Sequence, residues 1–169
     1  GVCSPSRSVE TEKVEIAQAL VRLGLDVIEA GFPAASEGDF EAVSTIAREV
    51  RGCTIAALAR SNENDVTKAA EALASAERSR LHVFIATSDI HLEYKLKKTR
   101  EEVLDIVKHI LEFAKGKFDE IEFSAEDASR TDLDYLCRVF EVAIEGGASI
   151  LNVPDTVGYM TPEEFGNRI

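Results

Sequence analysis

An α/β fold built on a parallel sheet is what this sequence predicts, and three observations carry the prediction. Short apolar runs alternate with amphipathic stretches of helical period along the chain. The runs begin near residues 26, 54, 81, 119 and 149, so successive starts lie 28, 27, 38 and 30 residues apart, room for a strand, a helix and two connections. Nearly every run ends in polar side chains: Glu29, Arg60, Thr87 with Ser88, Ser124 with Glu126, and Asn152 with Thr156. Regular βα alternation implies parallel strands joined by right-handed crossovers. Two architectures accommodate it, an open doubly wound sheet and part of a (β/α)8 barrel. No glycine-rich phosphate loop follows any strand, which weakens the dinucleotide-binding version. Polar groups at many strand ends favour the barrel, where several strands feed one site. About five βα units are visible where a closed barrel needs eight, so the expectation is a single partial TIM-barrel domain over residues 1–169.

Each element has its own signal. Ser8 caps a first helix with Glu10 and Glu12 in its opening turn and a stripe of Val14, Ala17, Leu20 and Val21 that stops at Gly24. Residues 25–30 form the first strand, ended by Gly31-Phe32-Pro33. Ser36 and Asp39 make a shortened capping box ahead of Phe40, Val43, Ile46, Ala47 and Val50. Residues 54–59 are the second strand, and Asn62 caps a helix that turns Val66, Ala69, Ala70 and Leu73 inward. Residues 81–87 are the third. A long polar connection, 88–98, then precedes the Thr99/Glu102 capping box and the stripe Val103, Ile106, Val107, Ile110, Leu111. Connections of that length are more often functional than accidental. A fourth strand from Phe118 breaks into the polar cluster Ser124 to Asp127, with Thr131 placed to start a helix carrying Leu133, Leu136, Cys137, Phe140 and Ile144, stopped by Gly146-Gly147. Residues 148–153 are the fifth strand, and Thr161-Pro162-Glu163-Glu164 combines an N-cap, a first-position proline and a capping-box glutamate.

Composition narrows the function. Hydrophobic residues make up 45% and charged residues 30% of 169, enough for one buried core. The formal net charge of -12 argues against nucleic-acid or anionic-membrane binding, because either needs a basic face. Cys3, Cys53 and Cys137 are odd in number, far apart and outside any CxxC, which speaks for reduced thiols rather than disulfides or zinc. No apolar run reaches the roughly 18 residues of a membrane helix and no signal-like segment is visible, so a soluble intracellular protein is expected.

Several side chains invite chemistry, each with a plainer reading beside it. Ser124, Glu126 and Asp127 follow a strand, where a carboxylate acts as a base, holds a metal indirectly or orients a hydroxyl, although helix entrances use the same residues. Asn152 to Tyr159 sets an amide, a carboxylate and a hydroxyl around a proline turn, and a plain turn explains the Pro, Asp and Gly better than the strand-end Asn. His82 lies inside a strand, where a histidine is more often a satisfied core group than a base. His91 and His109 share no metal-ligand spacing with it, and His109 reads as a helix-surface residue. Lys95, Lys97, Lys98 and Arg100 could meet phosphates, but a solvated loop and helix start is the usual outcome.

Four segments together resemble alpha-isopropylmalate synthase: 29–36 with Asp39-Phe40, 81–91 with Lys95-Leu96, 122–128 with Arg130, and 152–159 with Pro162. They occur in order over almost the whole chain from about Glu10. The resemblance implies a (β/α)8 barrel, of which strands two to six are present, and an aldol-type condensation of acetyl-CoA with 2-oxoisovalerate to 2-isopropylmalate in leucine biosynthesis. It implies substrate contacts at His82, Ser124, Asn152 and Thr156, a catalytic carboxylate at Glu126, a pocket wall at Leu58, and a weaker assignment at Arg60. It further implies a homodimeric parent enzyme in the cytoplasm, or in the plastid stroma of a plant.

Departures from the family pattern matter as well. The resemblance implies a divalent metal, Mn or Mg, held by an Asp of an Arg-Asp-Gly-Glu segment and by a His-x-His, and neither segment occurs in these residues. Residues 1–7 hold no strand pattern. The expectation is therefore that this chain supplies no metal ligand and, alone, turns over little or nothing. Its outermost strands are expected to be unpaired edges, prone to aggregate or to pair with another copy. Citramalate, homocitrate and methylthioalkylmalate synthases share the chemistry, a lyase on a related barrel is less favoured, and a non-catalytic assembly fragment is the rival from another class.

Overall fold

The computed structural model describes residues 9–169, with side chains from Glu12 onward. Cys3, the Ser8 cap, the side chain of Glu10 and residues 1–7 lie outside the described part. Five strands form one sheet: β1 (Val27–Gly31), β2 (Thr54–Arg60), β3 (Ser79–Ala86), β4 (Glu120–Glu126) and β5 (Ile150–Asn152). All pair in parallel and in chain order. That order separates the two architectures, since a doubly wound sheet reverses direction part-way whereas a barrel adds each strand to the last.

The helices are α1 (Val9–Arg22), α2 (Glu37–Glu49), α3 (Glu63–Leu73), α4 (Asp89–His91), α5 (Arg100–Ala114), α6 (Leu133–Gly146) and α7 (Pro162–Gly166). Four begin where their capping chemistry places them: Ser36 and Asn62 accept the amides of Asp39 and Asp65, and Thr99 and Thr161 form reciprocal capping boxes with Glu102 and Glu164. One face of the sheet is the core. Ile28, Ile55, Ala57, Leu81, Val83, Ile85, Ile121, Phe123 and Ala125 pack there against Val43, Ile46, Val66, Val103, Val107, Leu111 and Val139 of the covering helices. Phe123 meets Phe140 edge-to-face at 6.2 Å between centroids, a contact that adds about 0.5–1.5 kcal/mol to burial.

Three expectations are corrected. The 88–98 connection is helical rather than irregular: α4 runs into a π turn, Leu92–Leu96, anchored by buried Leu92. Asp132, not Thr131, caps α6, because the Thr131 hydroxyl is drawn inward to Thr87 and to the Asp127 carbonyl. The inward stripe of α6 is Tyr135, Leu136, Val139 and Ala143, while Leu133, Cys137 and Ile144 are exposed. Aromatic Tyr135 displaces the aliphatic register, its hydroxyl donating to the Arg100 carbonyl. Smaller shifts occur at strand ends: β1 extends to Gly31, β3 starts at Ser79, and β5 shortens to three residues. Cys53 and Cys137 are free thiols.

Candidate active site

Strand alternation sends every second side chain to the face that the helices leave uncovered. The register aligns Leu58 with His82, His82 with Glu122, Phe84 with Ser124, Ser124 with Asn152, and Ala86 with Glu126. Three successive rows of that face, Leu58–His82–Glu122, Phe84–Ser124–Asn152 and Ala86–Glu126, therefore lie side by side across β2 to β5. Leu58, His82, Ser124, Glu126, Asn152 and Thr156, all anticipated from sequence, line one open hollow of about 240 Å³ together with Phe84 and Pro154.

At its centre the His82 imidazole bridges two strands. Nδ1 bonds the Glu29 carboxylate, and Nε2 lies 2.6 Å from Ser124 Oγ and 3.8 Å from Glu122. Asn152 Nδ2 donates to the same Ser124 oxygen at 2.9 Å. Burial disfavours the charged ring, but the Glu29 hydrogen bond and the charges of Glu122 and Glu29 outweigh both burial and the repulsion of Arg80, raising the His82 pKa above its ordinary 6.5. This has a consequence for Ser124. When His82 is protonated both ring nitrogens donate, so Ser124 accepts from His82 and Asn152 and its own hydrogen is free to donate into the hollow. In the neutral ring with the proton on Nδ1, Nε2 instead accepts that hydrogen.

Beneath the hollow, Arg80 ties the sheet together, reaching Glu120 at 2.7 Å and Glu122 at 3.1 Å. Above it, Lys95 Nζ donates to both Glu126 oxygens at 2.7 and 2.8 Å, so Lys95 is not the freely solvated loop residue its sequence context suggests. Asp127, fully buried with φ of 65°, accepts from Ser88, from Arg130 at 2.8–3.0 Å and from His91 Nδ1 at 3.0 Å. Burial opposes its charge, yet the Arg130 and Ser88 hydrogen bonds with the charges of Arg130 and His91 hold its pKa below the ordinary 3.8. Thr156 Oγ1 accepts the Asp127 amide at 2.9 Å. Asp127 is thus a hub that fixes three loops, and Asp155 ends its own turn by accepting the Tyr159 and Met160 amides.

Arg60 stands apart. Its guanidinium is bound to buried Asp65 at 2.7 and 3.2 Å, lies over the Phe32 ring at 5.3 Å, and lines a neighbouring hollow instead. Sequence reasoning missed Asp65, Glu122, Phe84 and Lys95 as partners of the site. A signal existed for Phe84 and Glu122, which sit two residues from His82 and Ser124 on the same strand faces.

The HMGL-like family matches residues 4–169. The chain belongs to that family. This HMGL-like chain is 63% identical over 158 residues to 2-isopropylmalate synthase 1 of Caldanaerobacter subterraneus subsp. tengcongensis, covering 94% of itself and 40% of that protein. It is 58% identical to the 2-isopropylmalate synthase of Pelotomaculum thermopropionicum, covering all of itself and 34% of the relative, and 60% identical to that of Pyrococcus furiosus, covering 91% and 31%. The chain thus spans between about a third and two fifths of these relatives' lengths. Its backbone superposes on hydroxymethylglutaryl-CoA lyase from Pseudomonas aeruginosa, a TIM barrel, with a TM-score of 0.76 at 21% identity, covering 98% of this chain and 57% of that one. The fold of the HMGL-like chain is accordingly a partial TIM barrel. Among the described residues no three His, Cys, Asp or Glu side chains converge on a point fit for a metal ion, and no helix is long and apolar enough to cross a membrane. The carboxylates nearest the hollow are engaged by His82, Arg80 and Lys95.

Proposed function

We propose that these residues form the central part of the catalytic barrel of a 2-isopropylmalate synthase, an acyltransferase that condenses acetyl-CoA with 2-oxoisovalerate in leucine biosynthesis. What supports the reading is that six side chains anticipated for that reaction surround one hollow, in a chain 55–63% identical to proteins of that name. His82, Ser124 and Thr156 offer hydrogen bonds to the carboxylate and carbonyl of a small oxo acid. Leu58, Phe84 and Pro154 offer an apolar wall to its branched side chain. Glu126 supplies the carboxylate for proton transfer. Homodimeric assembly of the whole enzyme, a divalent ion held by residues elsewhere in it, and a cytoplasmic or plastid location belong to the same proposal and rest on the resemblance alone.

The test is a chimera in which this segment replaces its counterpart in the Pyrococcus furiosus relative, assayed for thiol release from acetyl-CoA with manganese or magnesium present. The expected result is release that depends on 2-oxoisovalerate and exceeds that with pyruvate or 2-oxoglutarate, with little or none from the 169 residues alone. A folded chimera that releases no thiol, or that prefers pyruvate, overturns the reading.

A further inference from the structure

Glu126 stands at a boundary. It lines the hollow that holds His82 and Ser124, and it also lines a second hollow of about 270 Å³ walled by Phe84, Ile85, Leu96 and Ile106. Its carboxylate is gripped at both oxygens by Lys95 Nζ. The backbone that presents Lys95 is unusual on two counts. It is a π turn, a rare geometry that is frequent at functional sites, and it closes on Lys97 in the left-handed region at φ of 55°, a conformation uncommon for a residue with a side chain. Two other cations nearby are committed, Arg60 to Asp65 and Arg130 to Asp127. Stability does not account for the pair, since the Lys95 side chain is 48% exposed and ion pairs that reach solvent contribute little to folding.

We propose that Lys95 is a positioning residue for Glu126, fixing the carboxylate between the two hollows so that it faces a small oxo acid in one and the acyl group of a second substrate in the other. Lys95 itself touches no reacting atom, and the proposal rests on the synthase reading above. Without Lys95 the Glu126 side chain gains rotamer freedom, and a misplacement of about 1 Å costs on the order of 100-fold in rate.

Two measurements test it. In the 169-residue chain, the Lys95 ammonium group followed by proton–nitrogen NMR gives an ordered, slowly exchanging signal that is lost in Glu126→Gln and kept in Glu93→Gln. In the chimera, Lys95→Met lowers kcat about 10- to 100-fold with the oxo-acid KM changed less than about twofold and the melting temperature nearly constant, and Lys95→Arg restores most of the rate. A Lys95 signal indifferent to Glu126→Gln, or an unchanged kcat in Lys95→Met, overturns the proposal. If the unmutated chimera releases no thiol, the synthase reading fails by itself, and the NMR result alone decides whether Lys95 holds Glu126.

Discussion

The imidazole of His82 on β3 and the hydroxyl of Ser124 on β4 meet at 2.6 Å, two residues out of direct register across adjacent parallel strands. The contact exists because both side chains point to the face the helices leave open, and Asn152 completes it from β5. Three strands are thereby tied at the level of the hollow.

This arrangement makes stability depend on pH in a stated direction. The folded-state pKa of His82 is raised, so the stabilisation it provides is fully present below the unfolded value of 6.5 and is lost as pH rises through the folded value. The difference in unfolding free energy between the parent chain and His82→Gln is therefore expected to be larger at pH 6 than at pH 9. Urea denaturation at the two pH values checks it, and a gap that widens with pH contradicts the charged, Glu29-bound ring.

Asp127 gives the opposite slope. Its pKa is lowered, so its contribution is present above 3.8 and is lost as pH falls through the lower folded value. Asp127→Asn keeps a residue tolerant of the left-handed backbone but weakens the bonds from Ser88 and Arg130. The expected cost is about 1–3 kcal/mol at pH 7, shrinking toward pH 3. Equal costs at both pH values would place the effect in packing rather than charge.

Gly146 tests the contact between α5 and α6. An added Cβ would lie 2.8 Å from Leu111 Cβ, an atom fixed to its backbone. Gly146→Ala gains about 1 kcal/mol of helix propensity and loses about 1–3 kcal/mol to overpacking, so a net destabilisation is expected. Gly166→Ala, with nothing within 4 Å, is the control and is expected to be neutral or slightly stabilising. Thermal melting of the two variants gives the comparison, and a more stable Gly146→Ala would mean that the helices stand further apart than described.

On the proposed synthase reading, Leu58 bears on substrate choice. In the chimera, Leu58→Ala is expected to raise kcat/KM for a 2-oxo acid one methylene longer, relative to 2-oxoisovalerate, by about 10-fold, the scale on which one methylene is discriminated in an apolar pocket. An unaltered ratio would mean that Phe84 and Pro154 set the limit instead.

By itself the sequence determined the local plan: five strands, the helices between them, and four helix starts at Ser36, Asn62, Thr99 and Thr161. Those features depend on periodicity and on side chains bonding their own turns, which neighbouring residues settle. It also named Ser124, Glu126, Asn152 and Thr156, because polar residues at strand ends can be read one strand at a time, while Leu58 and His82 were implied by the family resemblance. Tertiary structure alone decided what those side chains touch. Asp65 drew no reading from the sequence, yet it is buried against Arg60 and takes that guanidinium away from the hollow. Lys95 belonged to a basic run until the π turn brought it 31 positions back along the chain from Glu126 to both carboxylate oxygens. Thr131 looked like a cap until the fold offered its hydroxyl Thr87, 44 residues away. For Lys95 and Thr131 the partner lies far along the chain, outside any local window, and at Thr131 it outcompetes the local cap, because a buried polar group left unpaired costs more than a helix cap supplies.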